Sequence, residues 1–124
     1  MSILIFLCII VVHYIADFIF QDEQWALNKS KSKSALLKHT LTYSSLWLLS
    51  ILIITQSVST AFYFAIVTFM AHTIQDDITS RIVSKRFKNE YYGSSIPNFG
   101  AFSMIGLDQV FHYIQLIITW RIFL

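Results

Sequence analysis

The side chains able to do chemistry sit in four short strings, each inside an apolar run. HYIADFIFQ sets His13, Asp17 and Gln21 four residues apart, and HTLTY does the same for His39 and Tyr43. HTIQDD pairs His72 with Asp76 at the same spacing, with Asp77 adjacent, and DQVFH pairs Asp108 with His112 around Gln109. On a helix, that spacing stacks two side chains on one face, one turn apart. Neutral imidazole and carboxylate together suit a divalent transition metal. Zinc comes first, with manganese or iron as alternatives, and the lack of thiolate argues against a soft-metal site. His13, Asp17, His39, His72, Asp76, Asp108 and His112 are therefore candidate ligands. They outnumber the four ligands of one structural zinc, so either two ions bind or some carboxylates hold a histidine tautomer from behind. Asp17, Asp76 and Asp108 are also the candidate catalytic groups, orienting ligands or accepting a proton. Gln21, Lys29, Tyr43, Arg81 and Gln109 are candidate neighbours of the ligands or of a substrate.

The elements that position these groups follow from composition. Of 124 residues, 56% are hydrophobic and only 13% charged, about half the charge of an ordinary soluble domain. A chain this short cannot bury so much apolar surface in water. The 16% aromatic content argues against disorder, and the single cysteine allows no intrachain disulfide. Cys8 is expected to be a small buried apolar residue. Apolar runs cover about residues 2–20, 35–55, 60–83 and 101–124. Each approaches the roughly 20 residues needed to span a bilayer as a helix. The first run has no basic leader and no small-residue cleavage site, and so fits a cleaved signal peptide poorly. The expectation is an all-α, four-helix transmembrane bundle forming a single integral membrane domain. The connection 85–100 holds the only proline, Pro97.

Orientation follows from the basic residues. Lys29, Lys31, Lys33 and Lys38 lie in or beside the first connection, and Arg81, Lys85, Arg86 and Lys88 in or beside the third; Arg121 is the ninth. Basic loops stay cytoplasmic, so both termini should be outside and both long loops inside. Trp25, Tyr91 and Tyr92 would then mark the inner interface and Trp120 the outer. At about 1.5 Å per residue, all four polar sets fall in the cytoplasmic half of the bilayer. Asp77 reads as an interfacial residue. Lys29, Arg81 and Lys85 could meet a phosphate there, although orientation alone accounts for their charge.

The run HYIADFIFQ followed by WALNKSKS, LLKHTLTY, HTIQDDITSR and LDQVFH resembles the small membrane proteins of bacteria and phages grouped as domain-of-unknown-function family 3307. The likeness covers nearly the whole chain and rests on His13, Asp17, Gln21, Lys29, His39, Tyr43, His72, Asp76, Asp108, Gln109 and His112. Ala16 departs from it where a glycine is expected. More distantly, the pattern is similar to small membrane-bound proteins labelled metal-dependent hydrolases.

The expected function is a metal-dependent hydrolase of the bacterial inner membrane, multi-pass, acting on an amphiphilic or lipid-linked substrate. A metal-ion or proton transporter or channel is the alternative, since His and Asp chains also mark ion paths. A non-catalytic membrane factor contacting another membrane protein is the third reading. Its partners would include the lipid bilayer, with an oligomer left open. Beyond the loop lysines nothing points to nucleic acid.

Overall fold

The structure, a computed structural model, describes residues 2–93 and 100–124. Pro97 lies outside the described residues. Among the described residues every regular element is helical: α1 (Ile3–Tyr14), a π-helical turn (Ile15–Ile19), α2 (Glu23–Asn28), α3 (Lys33–Thr55), α4 (Val58–Lys88) and α5 (Ala101–Phe123). Helices α3, α4 and α5 are long and apolar enough to cross a membrane, whereas the Ile3–Ile19 segment is apolar but shorter. Leucine, isoleucine and phenylalanine cover the outer faces; Ile53 is 71% and Val58 73% exposed. Outward apolar surface on that scale suits lipid as the surroundings.

Local signals account for the breaks. Ser32 and Ser57 cap α3 and α4, each accepting from a backbone N–H three residues on at 3.3 Å. Asp22 caps α2, accepting from the Gln24 N–H two residues on at 2.8 Å. Such caps satisfy donors that the helix itself leaves unpaired. Between α3 and α4 the chain reverses through Gln56 in the left-handed region, φ 53°. Before α5, the carbonyls of Tyr91 and Tyr92 accept from Ala101 and Phe102 N–H, both at 2.6 Å. That brings Gly100 so close to Gly93 that a Cβ at Gly100 would lie 2.7 Å from the Gly93 Cα.

Four features depart from the sequence expectation. The polar first connection contains α2, a short helix capped by Asp22. Helix α4, the third expected span, runs on to Lys88 rather than ending near Val83, its basic last turn at the negative end of the helix dipole. Cys8 is exposed rather than buried, because it sits on the outward face of α1. Trp120 is 6% exposed and joins the apolar core, since it follows Leu116 on the inward stripe of α5.

The helices close into a ring in which α3 packs on α4, α4 on α5, and α1 on both α5 and α3. The π turn and α2 lean on α3. One stripe of each long helix faces the axis: His39, Tyr43, Trp47 and Ile51 on α3; Phe64, Thr68, His72 and Asp76 on α4; Asp108, His112 and Leu116 on α5. Along each stripe apolar residues occupy one end and ionisable residues the other.

Candidate metal centre

All seven ionisable residues singled out above are buried, with His13, His72 and His112 at 0% exposure. Asp17 reaches the axis from the π turn. There the Phe20 N–H bonds to the Ile15 carbonyl at 3.0 Å, five residues back, which widens the backbone at this point. Isolated π turns within helices often mark functional positions.

Two sets of ligand-type atoms converge around Asp76. In the first, His39 Nε2 lies 3.0 Å from His72 Nε2, 3.1 Å from Asp17 Oδ1 and 3.1 Å from Asp76 Oδ2. His72 Nε2 lies 3.6 Å from Asp17 Oδ1 and 3.8 Å from Asp76 Oδ2. One imidazole nitrogen carries at most one proton, so it cannot donate to three acceptors. Ligand atoms on one tetrahedral zinc, with bonds of about 2.0–2.1 Å, lie about 3.3 Å apart. The observed separations bracket that value.

In the second set, His112 Nδ1 lies 2.8 Å from the Asp108 backbone carbonyl. A carbonyl only accepts, so Nδ1 holds the proton and a neutral ring keeps its lone pair on Nε2. That Nε2 faces Asp76 Oδ1 at 3.4 Å and has no hydrogen-bond partner among the described residues. Two buried lone pairs facing each other are costly unless a cation or a proton joins them. Asp17 with His39 and His72, and Asp76 with His72 and His112, are accordingly two groups that could hold a metal ion. Charge points the same way. With neutral imidazoles, Asp17, Asp76 and Asp108 are balanced by Lys29 alone, leaving two negative charges that one divalent ion would neutralise.

His13 and Asp108 are held beside these groups. Gln109 Nε2 lies 3.2 Å from Asp17 Oδ2 and 3.2 Å from Asp108 Oδ2. Carboxylates accept, so the amide turns its NH₂ toward them and its oxygen toward His13 Nε2, 2.7 Å away. His13 therefore donates from Nε2, and its Nδ1 accepts from the Tyr43 hydroxyl at 2.7 Å. Both ring nitrogens are thus engaged. The Tyr43 ring stacks on His72 at 3.8 Å and 3°, fixing that imidazole's plane. Asp108 Oδ1 lies 2.7 Å from the Thr79 hydroxyl, a partner on α4 that helical spacing alone does not single out.

Lys29, from the end of α2, places Nζ 2.7 Å from Asp76 Oδ2. Burial works against this ammonium, but Asp76 and Asp17 outweigh it and hold Lys29 above the ordinary lysine value. Arg81 does not join the cluster; it pairs with Asp77 at 2.7 Å on the outer surface. Lys85 is exposed on α4. Gln21 lines a cleft of about 480 Å³ that also reaches Asp17, Lys29, Asp108 and Gln109. Lys88 lines it as well, a position no motif had marked. At the opposite end of the cluster, Tyr43, Trp47, Ile51, Phe64 and Leu116 close the axis, none more than 1% exposed.

Fold and site together define an all-helical protein with several apolar, membrane-length helices closed around a buried His/Asp centre. The chain belongs to the family described as Protein of unknown function (DUF3307), whose model matches residues 5–124. No curated protein and no solved structure matches it.

Proposed function

We propose that the protein is a membrane-embedded, metal-dependent hydrolase of the bacterial inner membrane, acting on an amphiphilic or lipid-linked substrate. The observation that carries this reading is one-sided access. The cleft reaches Asp17 and Asp108 from the loop end, while large side chains close the other end. A channel needs a path through both ends at once; a catalytic centre needs an opening at one. His39, His72, His112, Asp17 and Asp76 would hold the ion, with zinc the first choice and manganese or iron the alternatives. Such an ion lowers the pKa of a bound water toward neutrality. Gln109 and His13 position Asp17 and, through Tyr43, His72. Asp108 borders the cleft outside both ligand groups, and there it would accept a proton from the substrate side.

The reading includes a fourth span. The 17 residues of Ile3–Ile19 extend about 25 Å at roughly 1.5 Å per residue, near the hydrocarbon thickness. Both termini then lie outside and both basic loops in the cytoplasm, which puts the centre in the cytoplasmic half of the bilayer.

The test uses detergent-purified protein. Elemental analysis with and without chelation should find a transition metal that chelation removes. Incubation with a total bacterial lipid extract, followed by mass spectrometry, should release head groups or fatty acids. That release should stop on chelation and in Asp76→Asn. Metal content no higher than that of an unrelated membrane protein purified identically would overturn the reading.

A further inference from the structure

We propose that the cleft binds a single-chain amphiphile with a singly charged anionic head group of the phosphodiester class, recognised by Lys29. This assignment rests on the hydrolase reading and names the substrate class for the same site.

Shape gives the first argument. The cleft runs between the π turn and α2 on one side and α4 and α5 on the other. Its deep end is polar, with Asp17, Asp108 and Gln109, and its walls are apolar, with Phe18, Leu27, Val83, Phe87 and Ile105. Its 480 Å³ holds roughly 16 groups of water or methylene size at about 30 Å³ each. That is room for a head group and part of one chain.

The second argument is charge. Lys29 Nζ lies 2.7 Å from Asp76 Oδ2, the same oxygen that faces His39 Nε2 at 3.1 Å. A cation held there competes with the ammonium for that oxygen and repels it. Lys29 borders the cleft, so the displaced ammonium turns into it and needs a new anion. Lys88 stands on the same cleft. One divalent ion and Lys29 balance the three buried carboxylates, and the exposed Lys88 adds one positive charge on the cleft. A mono-anion neutralises it. Ser80 adds a donor: its hydroxyl lines the cleft, is buried and has no hydrogen-bond partner among the described residues.

The experiment titrates the metal-loaded full chain in zwitterionic nanodiscs with three probes of equal acyl length. Lysophosphatidylglycerol carries the anionic phosphodiester, lysophosphatidylcholine is zwitterionic, and monoacylglycerol is neutral. The first should bind at least tenfold tighter than either of the others. Lys29→Met should abolish that preference and tighten metal binding at least tenfold, because a competing cation is gone. A merely structural lysine would weaken both. Lys88→Met, on the exposed face of α4, should weaken the anionic probe severalfold with metal content unchanged, and it tests the site even if Lys29→Met folds poorly. Equal affinity for the three probes with metal bound would overturn the proposal and leave the metal centre standing. A preference of equal size in chelator-treated protein would refute the displacement of Lys29 by the ion and overturn the proposal, whereas a protein that takes up no metal at all would remove the hydrolase reading.

Discussion

Replacing Asp76 by asparagine keeps the side chain's shape and removes its charge. In the metal-free protein that charge is opposed by Lys29 Nζ at 2.7 Å, with the carboxylate side chain 1% and the lysine side chain 19% exposed. Removing one partner of a buried ion pair costs about 3–5 kcal/mol, because the other charge stays behind unpaired. The partial exposure of Lys29 gives the orphaned ammonium some access to the cleft and places the expected loss at the lower end, about 3 kcal/mol. Adding Lys29→Met to Asp76→Asn removes the orphan, so the double variant should be more stable than Asp76→Asn alone by about 2 kcal/mol or more. The assay is equilibrium unfolding of chelator-treated protein in mixed detergent micelles, run as a full double-mutant cycle. Metal affinity, read by competition with a chromophoric chelator, should fall more than 100-fold in Asp76→Asn, beyond the range for a residue that only supports a ligand. It should not return in the double variant. A double variant no more stable than Asp76→Asn would refute the coupling. Wild-type metal affinity in Asp76→Asn would refute the placement of this carboxylate among the ligands.

The remaining expectations use different readouts. Gln109→Leu removes the amide that joins Asp17, Asp108 and His13, and should weaken metal binding by about 10- to 100-fold with the fold intact; an unchanged affinity in the chelator competition would contradict its positioning role. Tyr43→Phe removes only the hydroxyl donated to His13 while keeping the ring on His72, so it should cost about 1 kcal/mol in detergent unfolding and leave metal content unaltered. A reporter inserted near Ser32 should be active only if it works in the cytoplasm, and one fused after Leu124 only if it works outside. The reverse pattern would remove the depth assignment.

Much of the helical pattern was legible because the polar residues recur with the helical period. His72 and Asp76 had to share a face once α4 was a helix, and Asp108 and His112 likewise on α5. Periodicity assigns faces but not partners. It could not say that Asp17 would turn toward His39 and His72, because that depends on a π turn, and IADFI carries no residue type that signals one. Nor could it separate His13 from the other three histidines. That distinction comes from Gln109, whose amide orientation is dictated by two carboxylates on different helices. Arg81 and Lys88 show the same limit. Both are basic residues near the end of α4, yet Arg81 turns outward to Asp77 and Lys88 lines the cleft. The difference lies in which side of the helix each occupies relative to α2 and α5. Cys8 was misplaced for a related reason, since in a helix apolar all round periodicity does not say which stripe turns inward.

The arrangement of polar and apolar ends follows from one constraint. Within the bundle, ionisable groups must face each other, because lipid cannot solvate them. They can be clustered at one level and capped on one side, or strung along the whole axis. This chain clusters them. On α3 the inward residues after His39 are Thr40, Tyr43, Ser44, Trp47 and Ile51, and on α4 those before His72 are Ala61, Phe64, Ala65 and Thr68. Each step away from the cluster exchanges ionisable groups for hydroxyls, then for rings and aliphatic chains. Lys29 and the cleft lie at the other end, where eight of the nine basic residues lie in or beside the connections. A substrate with an anionic head and an apolar tail would meet those charges first, the apolar walls next and the His/Asp cluster last. Lys29 joins the two regions, because it leaves the first connection and places Nζ 2.7 Å from Asp76 inside the cluster.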